Sequence, residues 1–103
     1  MYLRLVQHKY KKEMLDKSKD HYDSKVVPVL KEVDGCLFAG LIMDETNIGS
    51  AISMTLWSDK GKAVLYEKSG VYQKFLEEAK HLLEDAEEMK IQLSQDFKLE
   101  YKA

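Results

Sequence analysis

Only three histidines occur among the 103 residues, and one of them, His8, stands in an apolar run. An imidazole among apolar side chains can take or give a proton near neutral pH, which makes His8 the candidate catalytic base or hydrogen-bond donor. The competing role is structural, with the ring bonded to a backbone group. Five aromatic residues are placed to accompany it. Tyr10 shares the strand face of His8, Tyr22 and Tyr72 lie on helical stripes, Trp57 closes a strand, and Tyr66 follows on the next helix. Together Tyr10, Tyr22, Trp57, Tyr66 and Tyr72 are pocket-lining candidates for an apolar cleft between a sheet and its helices, where small ligands often bind. Each also has a packing role open to it, Trp57 as a core residue and the tyrosines as packed rings with a wet hydroxyl.

Other chemistries find less support. Glu77, His81 and Glu84 fall on one helix face, but nothing elsewhere completes a metal shell, and Glu78, Asp85, Glu87 and Glu88 extend the same run into a solvated acidic face. No metal and no cofactor is expected. Gly49 and Gly61 are isolated, so no phosphate-cradling loop is present, and Ser58 has no hydrolase pattern around it. The single cysteine, Cys36, excludes an internal disulfide and fits a reducing compartment; within a strand it reads as a small buried hydrophobe rather than a nucleophile.

The chain balances 16 Lys and Arg against 18 Asp and Glu, a formal charge of -2, and the signs are interleaved. That leaves no electrostatic footprint for nucleic acid or an anionic membrane. No apolar run approaches the roughly 20 residues of a membrane span, and the N-terminus lacks a signal-peptide pattern, so a cytoplasmic location is expected. The length fits one domain, residues 1–103, near the low end of what buries a self-sufficient core. A terminus two residues beyond a strand is also compatible with a piece of a longer protein.

Hydrophobic periodicity supplies the elements. Tyr2 to Tyr10 reads as a strand with Leu3 and Leu5 on one face and Tyr2, Arg4, Val6, His8 and Tyr10 on the other. From Lys11 a helical stripe follows through Met14, Ser18, Tyr22, Val26, Val29 or Leu30, and Val33, ending at Asp34-Gly35. Pro28 predicts a kink or a break near Val26 or Val27. Two strands then run between Gly35 and Trp57 around a polar loop, Asp44 to Gly49. In the first, Cys36, Phe38 and Ile42 oppose Leu37, Ala39, Leu41 and Met43; in the second, Ile52, Met54 and Leu56 oppose Ala51, Ser53, Thr55 and Trp57. Neither face of either strand reads as wetted. Ser58 is the predicted N-cap of a short helix through Tyr66, and Ser69 that of a longer helix striped by Val71, Tyr72, Phe75, Ala79, Leu82 and Leu83. A half-buried strand, Ile91 to Tyr101, closes the chain.

The order β-α-β-β-α-β predicts an α+β, ferredoxin-like fold in which an antiparallel four-stranded sheet carries its helices on one face. Its other face is apolar and needs cover. A second copy is the simplest supplier, giving a homodimer through the sheet face and a closed or nearly closed, twofold α/β barrel.

The runs Val27-Pro28-Val29-Leu30, Val33-Asp34-Gly35-Cys36 and Leu56-Trp57-Ser58, with Tyr66, Ser69 and Tyr72 after them, resemble the antibiotic biosynthesis monooxygenase (ABM) domain family. The similarity extends from about Tyr2 to Tyr101 in short pieces. It implies the same dimeric α/β barrel and, as an activity, cofactor-independent oxidation of an aromatic or quinol-like molecule. In such an enzyme the protein supplies binding, a base and hydrogen-bond donors, with His8 as base and Tyr66 and Trp57 shaping the pocket. The alternative is a non-catalytic member that binds a small apolar ligand or serves assembly. Haem binding or degradation is a third option with less behind it. The haem-degrading branch is identified by an Asn on the first strand and a Trp and a His in the second helical region, where this chain has Gln7, Tyr66 and Leu76, with His81 displaced by more than a turn.

Overall fold

The computed structural model describes residues 1–84 and, as backbone, residues 90–96. Strands β1 (Tyr2–Lys9), β2 (Cys36–Met43), β3 (Ser50–Trp57) and β4 (Lys90–Asp96) form one sheet in the order β2-β3-β1-β4, and each neighbouring pair is antiparallel. Helices α1 (Leu15–His21), α2 (Val27–Lys31), α3 (Lys60–Lys68) and α4 (Val71–Ala79) fill the connections. This is the ferredoxin-like α+β arrangement expected from the element order. The expected last strand is present over Lys90–Asp96; its predicted continuation to Tyr101 lies outside the described residues. No helix among the described residues is long and apolar enough to cross a membrane.

The β1–β3 register runs without interruption from Tyr2 opposite Trp57 to Lys9 opposite Ser50. Because side chains alternate, Arg4, Val6 and His8 share the buried face with Ala51, Ser53, Thr55 and Trp57. That face packs on Tyr22, Val26, Leu30, Ala63 and Tyr66 near Trp57, and a second cluster joins Tyr10 and Ala51 to Leu82 and Leu83.

Helix α1 does not run straight into α2. Between them Tyr22–Val26 forms a π-helical turn in which the Val27 N–H reaches back to the Tyr22 carbonyl. Pro28 has no N–H to offer the carbonyl four residues earlier, so widening the preceding turn is the local solution at the predicted break. The Ser24 hydroxyl, donating to the Asp20 carbonyl at 2.6 Å, adds a bond that loosens the regular ladder at the same place.

Four local expectations change. Asp59, not Ser58, caps α3, its carboxylate accepting from the Lys62 N–H at 3.0 Å. Gly70, with φ at 86°, holds the N-cap position of α4, while the Ser69 hydroxyl accepts from the Val71 N–H at 3.3 Å. The stripe predicted as one longer helix stops at Ala79 and continues through a 3-10 turn to Leu83, which bridges Tyr10. In β2 a bulge between Cys36 and Phe38 adds a residue opposite β3. It turns Cys36 toward the core and leaves Leu37 outside with 56% of its surface exposed, reversing the predicted faces of both. Cys36 is half-buried, and that burial raises the pKa of its thiol.

The predicted stop at Asp34-Gly35 is a left-handed turn three residues beyond the end of α2, with Gly35 at φ 88°. A Cβ there would also lie 2.5 Å from Lys62 Cβ, the stem of a residue inside α3. Gly35→Ala should therefore lower stability by at least about 1–3 kcal/mol from the backbone conformation alone. Urea unfolding of the two proteins at equal m-value checks this, and an unchanged midpoint would contradict it.

Candidate functional site

A cavity of about 40 Å³ lies between the inner sheet face and the helices. Its polar side comes from the sheet, Arg4 and His8 on β1 with Ser53 and Thr55 on β3, and its walls are Tyr10 and side chains of the π turn, α2, α3 and α4. The register explains the grouping. Arg4 is paired with Thr55 and Val6 with Ser53, so Ser53 is the diagonal neighbour of His8 across the ladder. His8 Nε2 and Ser53 Oγ are 2.8 Å apart, and the ring stacks on Tyr10 at 5.7 Å between centroids. Its other nitrogen, Nδ1, is buried without a partner.

Burial, and secondarily the charge of Arg4, lowers the His8 pKa from 6.5 to about 4. The imidazole is thus neutral at pH 7 and offers either a lone pair or one N–H. The tyrosines behave oppositely. Burial pushes Tyr10 up to about 12 and moves Tyr22 and Tyr66 well above the ordinary phenol range. They remain protonated and can donate hydrogen bonds, but they are not bases in the neutral range.

Arg4 is 3% exposed. Its Nε donates to Glu67 Oε1 at 2.6 Å, and its guanidinium carbon sits 4.5 Å from the Tyr72 ring centroid and 6.0 Å from that of Tyr66. Ion pair and ring faces together offset part of the cost of burying the charge. The sequence reading placed Arg4 on the face of His8 but gave it no role. A cation between Tyr2 and Val6 on a face that must be buried was the signal available. His21, the residue before the π turn, also lines the cavity with Nε2 buried and unpartnered. It stands one place off the helical stripe, and nothing in the sequence pattern singled it out.

Of the sequence candidates, His8, Tyr10, Tyr22, Tyr66 and Tyr72 all contribute to the lining. Trp57 does not. It is fully buried behind the wall, stacked on Tyr66 at 4.9 Å, with Nε1 donating to Thr55 Oγ1 at 2.9 Å. It fixes two lining residues without touching the cavity. The positions weighed for haem are scattered. Gln7 is exposed on the opposite side of β1, and His81 is exposed, while Leu76 and Tyr66 line the cavity. Among the described residues no three His, Cys, Asp or Glu side chains are grouped to hold a metal ion.

Solved structures share this architecture. A protein from Deinococcus radiodurans named as a proposed antibiotic biosynthesis monooxygenase superimposes over 100% of this chain and 98% of its own, with a TM-score of 0.74 at 16% identity. One from Bordetella bronchiseptica with the same designation gives 0.76 at 8% identity, over 95% of this chain and 97% of its own. The chain has the antibiotic biosynthesis monooxygenase fold. A conserved protein from Methanosarcina mazei reaches 0.69 at 21% identity over 88% of each chain. No protein-family model and no curated protein matches the sequence.

The site carries a pH signature of its own. A buried histidine whose pKa falls on folding binds its proton more weakly in the native than in the unfolded state, so stability is lost as pH drops from about 6.5 through about 4. The full loss attributable to His8 is about 3 kcal/mol. Denaturant titrations between pH 7 and pH 4 should show this fall, and His8→Gln should flatten it; equal slopes in the two proteins would remove His8 as the cause.

Proposed function

We propose that the protein is a small homodimeric oxygenase that oxidises an aromatic or quinol-like molecule with dioxygen and without a bound cofactor. The observation that carries this reading is the presence of a neutral, buried imidazole and a buried cation in one aromatic-walled cavity. The monooxygenase names of proteins with the same fold support it.

With Ser53 Oγ accepting from Nε2–H, His8 Nδ1 is a bare acceptor able to take the proton of a bound phenolic hydroxyl. Arg4 favours the phenolate that results. The electron-rich ring then passes one electron to dioxygen, and the phenoxyl radical and superoxide join at a ring carbon. The O–O bond of this peroxide breaks, leaving one oxygen as a ring carbonyl. The other departs as water, made from the hydrogen on that ring carbon and the proton held by His8. A phenol and dioxygen thus yield a quinone and water, with every electron drawn from the substrate.

A second reading has an observation of its own. A pKa of about 4 makes His8 a weak base, and the same cavity would suit a protein that binds a ring and does not oxidise it. Oxygen consumption with a panel of phenols and quinols separates the two. The enzyme reading expects turnover that His8→Ala reduces by about 10²–10⁴-fold while fold and assembly are kept. Turnover should hold from neutral pH down to about 5 and decline toward 4 as His8 is protonated. A protein that binds these rings and consumes no oxygen is a binding module.

The outer sheet face supports the dimer. Phe38, Leu56 and Leu3 form one cross-strand row and Ile42, Ile52 and Gln7 another, with Met54 and Leu5 beside Gly40 between them. Phe38 and Ile42 are 48% and 51% exposed. A contiguous apolar surface of this kind is what a second copy would bury. Sedimentation at micromolar concentration should give the mass of two chains, and Ile42→Lys should give the mass of one; a single-chain mass for the unaltered protein would refute the dimer.

A further inference from the structure

Among the described residues two buried imidazole nitrogens are left without a partner, His8 Nδ1 and His21 Nε2, and both belong to side chains that line the same cavity. A buried polar atom with no hydrogen bond carries its full desolvation cost, so a pair of them on one cavity calls for an occupant that completes both. They enter from opposite sides. His8 comes from the sheet, fixed by Ser53 and stacked on Tyr10, while His21 comes from the end of α1 at the π turn. A ligand with one hydroxyl satisfies one ring and leaves the other as it was.

We infer that the site is built for a dihydroxyarene gripped at both hydroxyls, one by His8 and the other by His21. His21 then determines specificity by holding the hydroxyl that does not react, and the ring lies within the field of Arg4. This rests on the reading that the cavity takes an electron-rich aromatic molecule, and it goes further in fixing the hydroxyl count and the second contact. The spacing of the two rings selects among the ortho, meta and para isomers.

The test is calorimetric titration of the whole protein at pH 7, without oxygen, using phenol, catechol, resorcinol and hydroquinone as probes. At least one dihydroxybenzene should bind tenfold or more tightly than phenol. In His21→Phe that isomer should lose about tenfold while phenol changes by less than threefold. Equal affinities for phenol and all three isomers would overturn the inference, as would a His21→Phe variant that weakens phenol and the isomers alike. Failure of every probe to bind would overturn the aromatic reading of the cavity itself, a result distinct from binding without discrimination. Nitrogen-15 spectra of the unaltered protein need no variant to fold. The favoured isomer should shift the ring nitrogens of both His8 and His21, and phenol those of one; a ligand that leaves His21 unmoved would overturn the two-point grip.

Discussion

A guanidinium buried between sheet and helices is the constraint on which the site depends. Arg4 leaves water almost completely, and such a burial is tolerated only when charge and hydrogen-bonding capacity are met nearby. Glu67 meets part of the charge from α3, and the faces of Tyr72 and Tyr66 meet more from α4 and α3. The ion pair is open on one side, because the Glu67 side chain keeps 36% of its surface, so solvent screens it and weakens its contribution. What remains is a positive field inside an apolar cavity. Burial first, and this field second, keep the neighbouring imidazole neutral, and the field favours any ligand that becomes an anion there.

That field would have no chemical consequence if β1 were one residue out of step with β3. A single-residue slip sends every side chain to the other face. In the register found, Arg4, His8, Ser53 and Thr55 arrive together on the side the helices cover, and Leu3, Leu5, Met54 and Leu56 arrive together on the other. Trp57 guards the arrangement at the strand's end. Its indole donates to Thr55 and its ring backs Tyr66, so one side chain that never meets the cavity sets the position of two that do.

The fold was legible because period-two and period-3.6 patterns both survive in the sequence. Alternation in Tyr2 to Tyr10 and Ala51 to Trp57 grouped the side chains of each face without saying which face turns inward, and Pro28 marked the place where the helix widens. The strand that misled was β2, since a bulge changes parity at Cys36 and no residue type there announces it. The site was half legible for a related reason. A histidine and a tyrosine on one strand face with further tyrosines on helical stripes point to a cavity, but Arg4 looks in sequence like any surface cation until Glu67, far away in the chain, is seen beside it. His21 was hidden more deeply. Its place on the lining follows from a π turn, and the strict helical period used to draw the stripe excludes it.

The two faces of the sheet divide the molecule's tasks along one strand. Successive residues of β1 alternate between the candidate site and the face proposed for the dimer, Arg4 and His8 inward with Leu3 and Leu5 outward, and no linker separates them. Backbone displacement at the outer face is therefore displacement of the inner one. A subunit partner pressed on Leu3, Leu5, Met54 and Leu56 would hold the ladder that places His8 opposite Ala51 and diagonal to Ser53, without contributing an atom to the cavity. In the proposed dimer, assembly would act on the site through rigidity. Without the partner the distribution of His8 and Arg4 positions would widen, and a cavity of about 40 Å³ has little room to absorb that spread.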